Sequence, residues 1–145
     1  RLRNGHRRRG VEQPVNTPMS MAERYTQARG LFEHGEYQAA ADSLRALVDE
    51  SALEPPLHGT TELRVLLGRA YFHSAQLGRA ETVLRTVLIE HPDDAYANLV
   101  LGRTLQRLGR AADARPHLAM AELLGGYAGT GRLPADTSDP TDSSA

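Results

Sequence analysis

Three arginine residues recur at matching positions along the sequence, and each has aromatic residues near it. They are Arg29, Arg69 and Arg103, at intervals of 40 and 34 residues. A guanidinium group presents a planar fork of N–H donors that fits a carboxylate or a phosphate, and aromatic rings bind apolar side chains. These residue types therefore indicate recognition of an anionic ligand, such as an acidic peptide segment.

Residue patterns that support catalysis or metal binding are missing from the sequence. There is no Cys, and the six His residues show neither H-x-H nor H-E-x-x-H spacing. The pair Asp93-Asp94 precedes a predicted helix, where helix capping explains it. The glycines from Gly125 to Gly131 follow a helix rather than a strand, which is the wrong context for a phosphate-binding loop. The sequence predicts no enzyme activity, no metal and no cofactor.

The helices that must position the arginines are predicted from apolar spacing and from helix boundary signals. Ser20 and Glu23 have the spacing of a capping box, which starts a helix near Met21, and Gly35 lies where a left-handed residue ends it. Further boundaries follow along the chain: a stop at Pro55-Pro56, a cap at Thr60, a stop at Pro92, a cap at Asp93 or Asp94, and a turn at Gly109. In the third helix the apolar stripe is Leu63, Leu67, Ala70 and Tyr71. Six helices are predicted in all.

The six helices form three pairs that repeat in sequence. A shift of 34 residues places the third pair on the second, and a shift of 40 places the second pair on the first. A rival shift of 31 would align Gly78 with Gly109. The shift of 34 is preferred because each pair then has a small residue twelve places before an Ala, where two closely packed helices need minimal side chains. The small residues and their alanines are Ala28 and Ala40, Gly68 and Ala80, and Gly102 and Ala114.

This pattern resembles the tetratricopeptide repeat family. Leu67-Gly68, Tyr71, Ala80 and Pro92 fit the family motif, although arginine or asparagine replaces the leading aromatic residue of each unit. The resemblance implies an all-α fold, a right-handed α-solenoid of three helix-turn-helix repeats at about 21–54, 61–94 and 95–128. Together these form a repeat domain over 20–128.

The resemblance also implies that the first helix of each repeat lines a concave groove. Helical periodicity then selects the side chains that point into it, and these form the candidate peptide-binding site: Tyr25, Arg29, Phe32, Arg69, Phe72, Tyr96, Arg103 and Arg107. The expected function is that of a non-catalytic adaptor whose groove binds an acidic or C-terminal peptide of a protein partner. An equally open alternative is that the arginines pair with nearby acids such as Glu33, Glu36 and Glu62 and only keep the surface solvated. The basic and polar set of the chaperone-binding members is not matched here.

Composition adds expectations about the two ends and the surroundings of the protein. The chain has 145 residues, a formal charge of −1 and no apolar run long enough to cross a membrane, which favours a cytoplasmic protein. Residues 1–19 form a basic arm and residues 129–145 an acidic tail, and both compositions predict disorder. Two alternatives to groove binding follow. The first, which is less favoured than groove binding, is binding of nucleic acid or an anionic surface through Arg1–Arg9. The second is homo-oligomer formation through the third repeat, which lacks a capping helix.

Overall fold

Six α-helices make up most of the residues that the structure describes. The computed structural model describes residues 18–51, 60–128 and 133, and it places no strand among them. The helices are α1 (Met21–Glu33), α2 (Tyr37–Ser51), α3 (Thr60–His73), α4 (Leu77–Glu90), α5 (Ala95–Arg107) and α6 (Ala111–Gly125). Each packs on the next along the chain, and α3 also contacts α5. The predicted all-α arrangement of consecutive helix pairs is confirmed.

Helix starts follow the predicted capping chemistry in two of three places. The Ser20 hydroxyl accepts from the Glu23 amide at 3.1 Å, and the Glu23 carboxylate accepts from the Ser20 amide at 2.9 Å. Asp94 caps α5, because its carboxylate accepts from the Ala97 amide at 2.9 Å. Thr60 is not a cap. It is the first residue of α3, so the prediction was one residue too late.

The turns inside the three helix pairs share one backbone geometry. Gly35, Ala75 and Gly109 have φ of 81°, 63° and 79°, in the left-handed region. In each turn the next amide donates to a carbonyl five residues earlier, from Glu36 to Leu31, from Gln76 to Tyr71 and from Arg110 to Leu105, at 2.8 to 2.9 Å. These turns are 40 and 34 residues apart, as predicted. The rival shift of 31 is wrong, because Gly78 lies within α4 while Gly109 lies in a turn.

Small residues bring the two helices of a pair close together, as the sequence predicts. A Cβ atom on Gly68 would lie 2.8 Å from the side chain of Leu84, and one on Gly102 would lie 2.5 Å from Leu118. Ala28 takes the corresponding place in the first pair and is fully buried. The residue that packs against each of these two glycines is therefore a leucine sixteen positions later in the sequence. The prediction had named the alanine twelve positions later.

The chain turns back onto α5 after the last helix. Gly126 ends α6 with φ 73°, and the ring of Tyr127 lies 5.9 Å from the ring of Tyr96 at the start of α5. Leu133 is 3% exposed and belongs to the main hydrophobic cluster. Leu133 lies within residues 129–145, the tail whose composition predicts disorder. The rest of that tail and residues 1–17 of the basic arm lie outside the described residues.

Candidate functional site

A cavity of about 390 Å³ lies between α1, α3 and the start of α5. Four of the eight predicted site residues line it: Tyr25, Arg29, Arg69 and Tyr96. They come from three different helices, and each is the first helix of its pair. The remaining lining residues are Thr61, Glu62, Val65, Leu66 and Asp94.

The guanidinium group of Arg69 is held between two aromatic rings. Its central carbon lies 4.6 Å from the ring centre of Phe32 and 5.6 Å from that of Tyr96. Phe32 belongs to α1 and Tyr96 to α5, so this one side chain of α3 contacts both neighbouring first helices. Both distances are within the range of an attractive cation–π contact.

Phe32 differs from the prediction, which placed it on the open face of the groove. Its side chain is only 5% exposed. Its ring packs edge-on against Tyr37 at 5.1 Å and His73 at 5.8 Å, and Arg69 covers it. Phe32 therefore packs against the guanidinium group of Arg69 and offers little exposed surface to a ligand.

Arg29 lines the same cavity from α1 in a more exposed position. Its guanidinium carbon lies 5.9 Å from the ring centre of Tyr25, and its Nη2 lies 3.6 Å from a carboxylate oxygen of Glu33 in the same helix. Both partners of this ion pair are more than half exposed. Such a pair contributes little to stability, so Glu33 competes only weakly with a ligand for Arg29. It is nevertheless one of the acidic neighbours that the alternative interpretation names.

Arg107 and Phe72 form a separate stacked pair that bridges α5 and α3. The guanidinium carbon lies 4.8 Å from the ring centre of Phe72, and Nη1 donates to the carbonyl oxygen of Phe72 at 3.0 Å. Arg103 is half-buried on α5, where it donates to the Gln106 side chain at 3.4 Å, and burial lowers its pKa. Neither Arg103 nor Arg107 lines the 390 Å³ cavity formed by the described residues.

Charge in the cavity is mixed. Arg29 and Arg69 share it with Glu62 and Asp94. The Asp94 carboxylate already caps α5, so part of its charge is used by the amide of Ala97. When rings cover the faces of a guanidinium group, its N–H edge remains the direction from which a carboxylate can bind. The site is thus suited to an anionic group flanked by apolar surface.

Two aromatic contacts around this site were not predicted. Tyr37 stacks on His73 with ring centres 4.6 Å apart, beneath Phe32, and Tyr127 packs against Tyr96. His73 follows Arg69 by four residues and so shares its helix face, but no sequence signal connects it to Tyr37 on another helix. Tyr127 follows two glycines, where helical periodicity no longer applies.

A second cavity, of about 570 Å³, is formed by α2, α3 and α4. Leu67, Tyr71 and Val83 contribute apolar side chains to it, and Arg45 and Arg79 lie at it. Burial raises the pKa of the Tyr71 phenol, while Arg45 and Arg79 act in the opposite direction. None of the predicted site residues lines this cavity.

Comparison with known proteins agrees with the helix pairs. A family model described as tetratricopeptide repeat matches residues 31–100. No curated protein and no solved structure matches the chain. The resemblance to the tetratricopeptide repeat family is confirmed, and residues 31–100 are a tetratricopeptide-repeat segment. Repeats of this family generally mediate protein–protein interaction and are typically not catalytic.

Two searches of the described residues complete the description of the site. No helix in residues 18–51 or 60–128 is long and apolar enough to cross a membrane. The same part of the chain contains no group of three or more His, Asp or Glu side chains placed to hold a metal ion.

Proposed function

We propose that the concave face binds a peptide segment of a protein partner, with an acidic side chain or a C-terminal carboxylate at Arg69. The concave face is defined here by Tyr25, Arg29, Arg69, Phe72, Tyr96, Arg103 and Arg107. The observation that carries the proposal is the position of Arg69, with its guanidinium group between the rings of Phe32 and Tyr96.

The stacked position of Arg69 lowers the conformational entropy that its side chain loses when an anion binds. A long side chain normally loses rotamer freedom when it binds a ligand, which costs roughly 0.5–1.5 kcal/mol. The two rings hold the Arg69 guanidinium in place before any ligand arrives. The rings of Tyr25 and Tyr96 provide apolar contact at the same cavity, so a peptide with acidic and apolar side chains fits best.

Fluorescence anisotropy with labelled peptides tests the proposal. The probes are an acidic peptide with interspersed leucines, a basic peptide of the same pattern, and the acidic peptide with an amidated or a free C-terminus. We expect the acidic peptide to bind, with an affinity that falls as salt rises, and Arg69→Glu to weaken that binding at least about tenfold. Arg69→Lys keeps the charge but loses the planar fork, so it should bind with intermediate affinity.

Arg79→Glu is the matched control, because Arg79 is exposed and lies at the other cavity. It makes the same change in net charge and should leave peptide affinity unchanged. If Arg69→Glu keeps its helical circular dichroism and still binds the acidic peptide as tightly as the wild type, the proposed function is wrong.

Self-association is a second candidate function, favoured by the surface of α6. Leu123 is 79% exposed, and Met120 and Leu124 are also exposed on the same helix. Multi-angle light scattering tests it: a dimer that becomes a monomer in Leu123→Glu supports this function, and a monomeric wild type excludes it.

Nucleic-acid binding through Arg1–Arg9 concerns residues outside those that the structure describes, and it stays a prediction. Deletion of residues 1–18 tests it directly, because binding through the arm would be lost while binding of the acidic peptide to the concave face would be kept.

A further inference from the structure

We propose that the 570 Å³ cavity between α2, α3 and α4 is a second binding site, which holds a small amphiphilic carboxylate. Such a molecule has one carboxylate group and an apolar chain or ring. The cavity lies between the second helices of the first two pairs, and none of the residues that define the concave face lines it. The inference therefore goes beyond the proposed function and does not rest on it.

The size and the apolar lining of the cavity suit the apolar part of such a ligand. The apolar lining residues come from three helices and are Val48, Leu67, Tyr71 and Val83. A volume of about 570 Å³ lies within the range of about 300–1,000 Å³ that is usual for small-molecule sites, whose walls are mostly apolar with a few polar groups. A hydrocarbon chain that packs against these side chains loses contact with water, which favours binding.

One buried polar side chain of the core belongs to the wall of this cavity. Tyr71 is 5% exposed, and it lines the cavity. No hydrogen bond among the residues that the structure describes uses its hydroxyl group. A buried phenol usually has a hydrogen-bond partner, so the hydroxyl is suited to donate to an oxygen atom of a ligand. Tyr71 thus indicates where the polar end of the ligand binds.

The charges near the Tyr71 hydroxyl favour an anion there. Arg45 and Arg79 are exposed residues at the cavity, and both lower the pKa of the phenol against the effect of its burial. Asp42 and Asp49 raise that pKa, but each acts less strongly than either arginine. The electrostatic potential that these four side chains produce at the hydroxyl is therefore positive, as a carboxylate requires.

The other interactions of the lining residues leave this positive potential in place. Arg64 also lines the cavity, but it contacts Glu90 at 3.0 Å, so the two charges largely cancel. Arg79 donates to the side chain of Gln76 at 2.7 Å. Gln76 is uncharged, and a guanidinium group has further N–H donors for a ligand.

The start of α4 adds to the positive potential. Gly78 and Arg79 belong to the first turn of this helix, and both line the cavity. The backbone N–H groups of a first turn have no acceptor within their own helix, and the side chain of Gln76 does not cap them. Such a helix end attracts anions. The positive end of α4 thus lies at the same cavity as the Tyr71 hydroxyl.

Titration of the full chain with octanoate, followed by two-dimensional NMR, tests the proposal. We expect saturable shifts of the signals of Val48, Tyr71 and Val83. Butyrate is four methylene groups shorter and should bind at least about tenfold more weakly, because it buries less apolar surface. Octan-1-ol and octylammonium keep the chain but lack the carboxylate, so each should also bind at least about tenfold more weakly.

Two results of this titration would overturn the proposal. One is equal affinity for octanoate and octan-1-ol, which would mean that the cavity does not recognise the carboxylate. The other is a set of shifts that follows Tyr25 and Arg29, which would place octanoate on the concave face.

Two substitutions test the polar end of the site. Tyr71→Phe removes the hydroxyl and keeps the ring, and it should weaken octanoate binding about 3- to 10-fold. Arg45→Gln should weaken it by a similar factor. Arg115→Gln is the matched control, since it makes the same change of charge at an exposed position of α6 and should bind octanoate like the wild type.

A third substitution tests the cavity by filling it. No atom lies within 4 Å of the Cβ position of Gly78, so a larger side chain has room at this wall of the cavity. Gly78→Leu should weaken octanoate binding at least about tenfold. Gly30→Leu, at an equally open position of α1, is its control and should not weaken it. With helical circular dichroism retained, unchanged octanoate affinity in Tyr71→Phe or in Gly78→Leu overturns the proposal.

Discussion

Arg24, at the start of α1, binds both carboxylate oxygens of Glu50, near the end of α2, at 2.7 and 2.8 Å. The same link recurs in the second pair of helices, where Arg64 contacts Glu90 at 3.0 Å. Each arginine stands where the tetratricopeptide motif has its leading aromatic residue. An ion pair between the first and second helix thus replaces the apolar contact expected from that aromatic residue.

The third pair of helices replaces this ion pair by a buried polar link. Asn98 is 3% exposed, and its amide group donates to the carbonyl oxygens of Pro92 and Asp94 at 3.1 and 3.0 Å. Its Oδ1 therefore accepts, and the Nδ1 of His117 on α6 donates to it at 3.0 Å. The contact holds the start of α5 against α6.

The Arg24–Glu50 pair should be visible in a carboxylate titration. The hydrogen bond from Arg24 lowers the pKa of Glu50, with partial burial opposing it and the attraction between the charges adding to it. In Arg24→Gln we expect this pKa to rise toward the ordinary value of a glutamate, as measured by NMR of the side-chain carboxyl carbon. Arg45→Gln, an exposed change in the same helix as Glu50, is the control. An unchanged Glu50 pKa in Arg24→Gln would mean that the pair does not persist in solution.

The two buried glycines should not tolerate a methyl group. A Cβ atom on Gly102 or Gly68 would overlap the side chain of Leu118 or Leu84. We expect Gly102→Ala and Gly68→Ala to lower the free energy of unfolding by about 1–3 kcal/mol each in urea titrations. Gly30→Ala is the matched control, since no atom lies within 4 Å of its Cβ position in α1. It should gain up to about 1 kcal/mol from helix propensity. Equal effects at all three positions would contradict the close packing of the helix pairs.

Ala75 occupies the turn position that glycine has in the other two pairs. A left-handed conformation costs a residue with a Cβ roughly 1–2 kcal/mol, while glycine costs up to about 1 kcal/mol more entropy on folding. Ala75→Gly should therefore stabilise the protein slightly, by less than about 1 kcal/mol. Gly109→Ala should destabilise it by a similar amount, although its Cβ position is open. Thermal and urea unfolding measure both. A loss of stability in Ala75→Gly would show that the turn is not strained.

His117 should make stability depend on pH in the mildly acidic range. Burial lowers its pKa below 6.5, nearby Arg85 lowers it further, and Asp113 acts in the opposite direction. The unfolded chain therefore takes up the proton first, so stability falls as pH decreases from about 6.5 through the lower pKa of the folded state. We expect the melting temperature of His117→Gln to fall less between pH 7.5 and pH 5 than that of the wild type. His91→Gln, at an exposed position, should match the wild type, and identical pH profiles for all three proteins would exclude this role of His117.

The sequence predicts the helix pairs well because their determinants are local. Capping by Ser20, the turn at Gly35 and the small residue at Gly68 each act within one or two helices, and periodicity reveals them. Half of the predicted site residues line one cavity, since residues at equivalent repeat positions on α1, α3 and α5 lie side by side. Burial of Phe32 depends on rings from α2 and α3 together, which a single helix pattern does not encode. Asn98 takes the repeat position of Arg24 and Arg64, but no sequence signal connects it to His117 on another helix.

Arg69 also affects how the array unfolds. Stacked repeats normally contact only their neighbours, so their stability is close to a sum of local contributions and parts of the array can melt separately. Arg69 lies in the middle helix pair and contacts one ring in each of the outer pairs. It therefore couples the interface between the first and second pairs to the interface between the second and third pairs. We therefore expect loss of the contact on one side of Arg69 to weaken the contact on the other side, which favours cooperative melting of the three helix pairs.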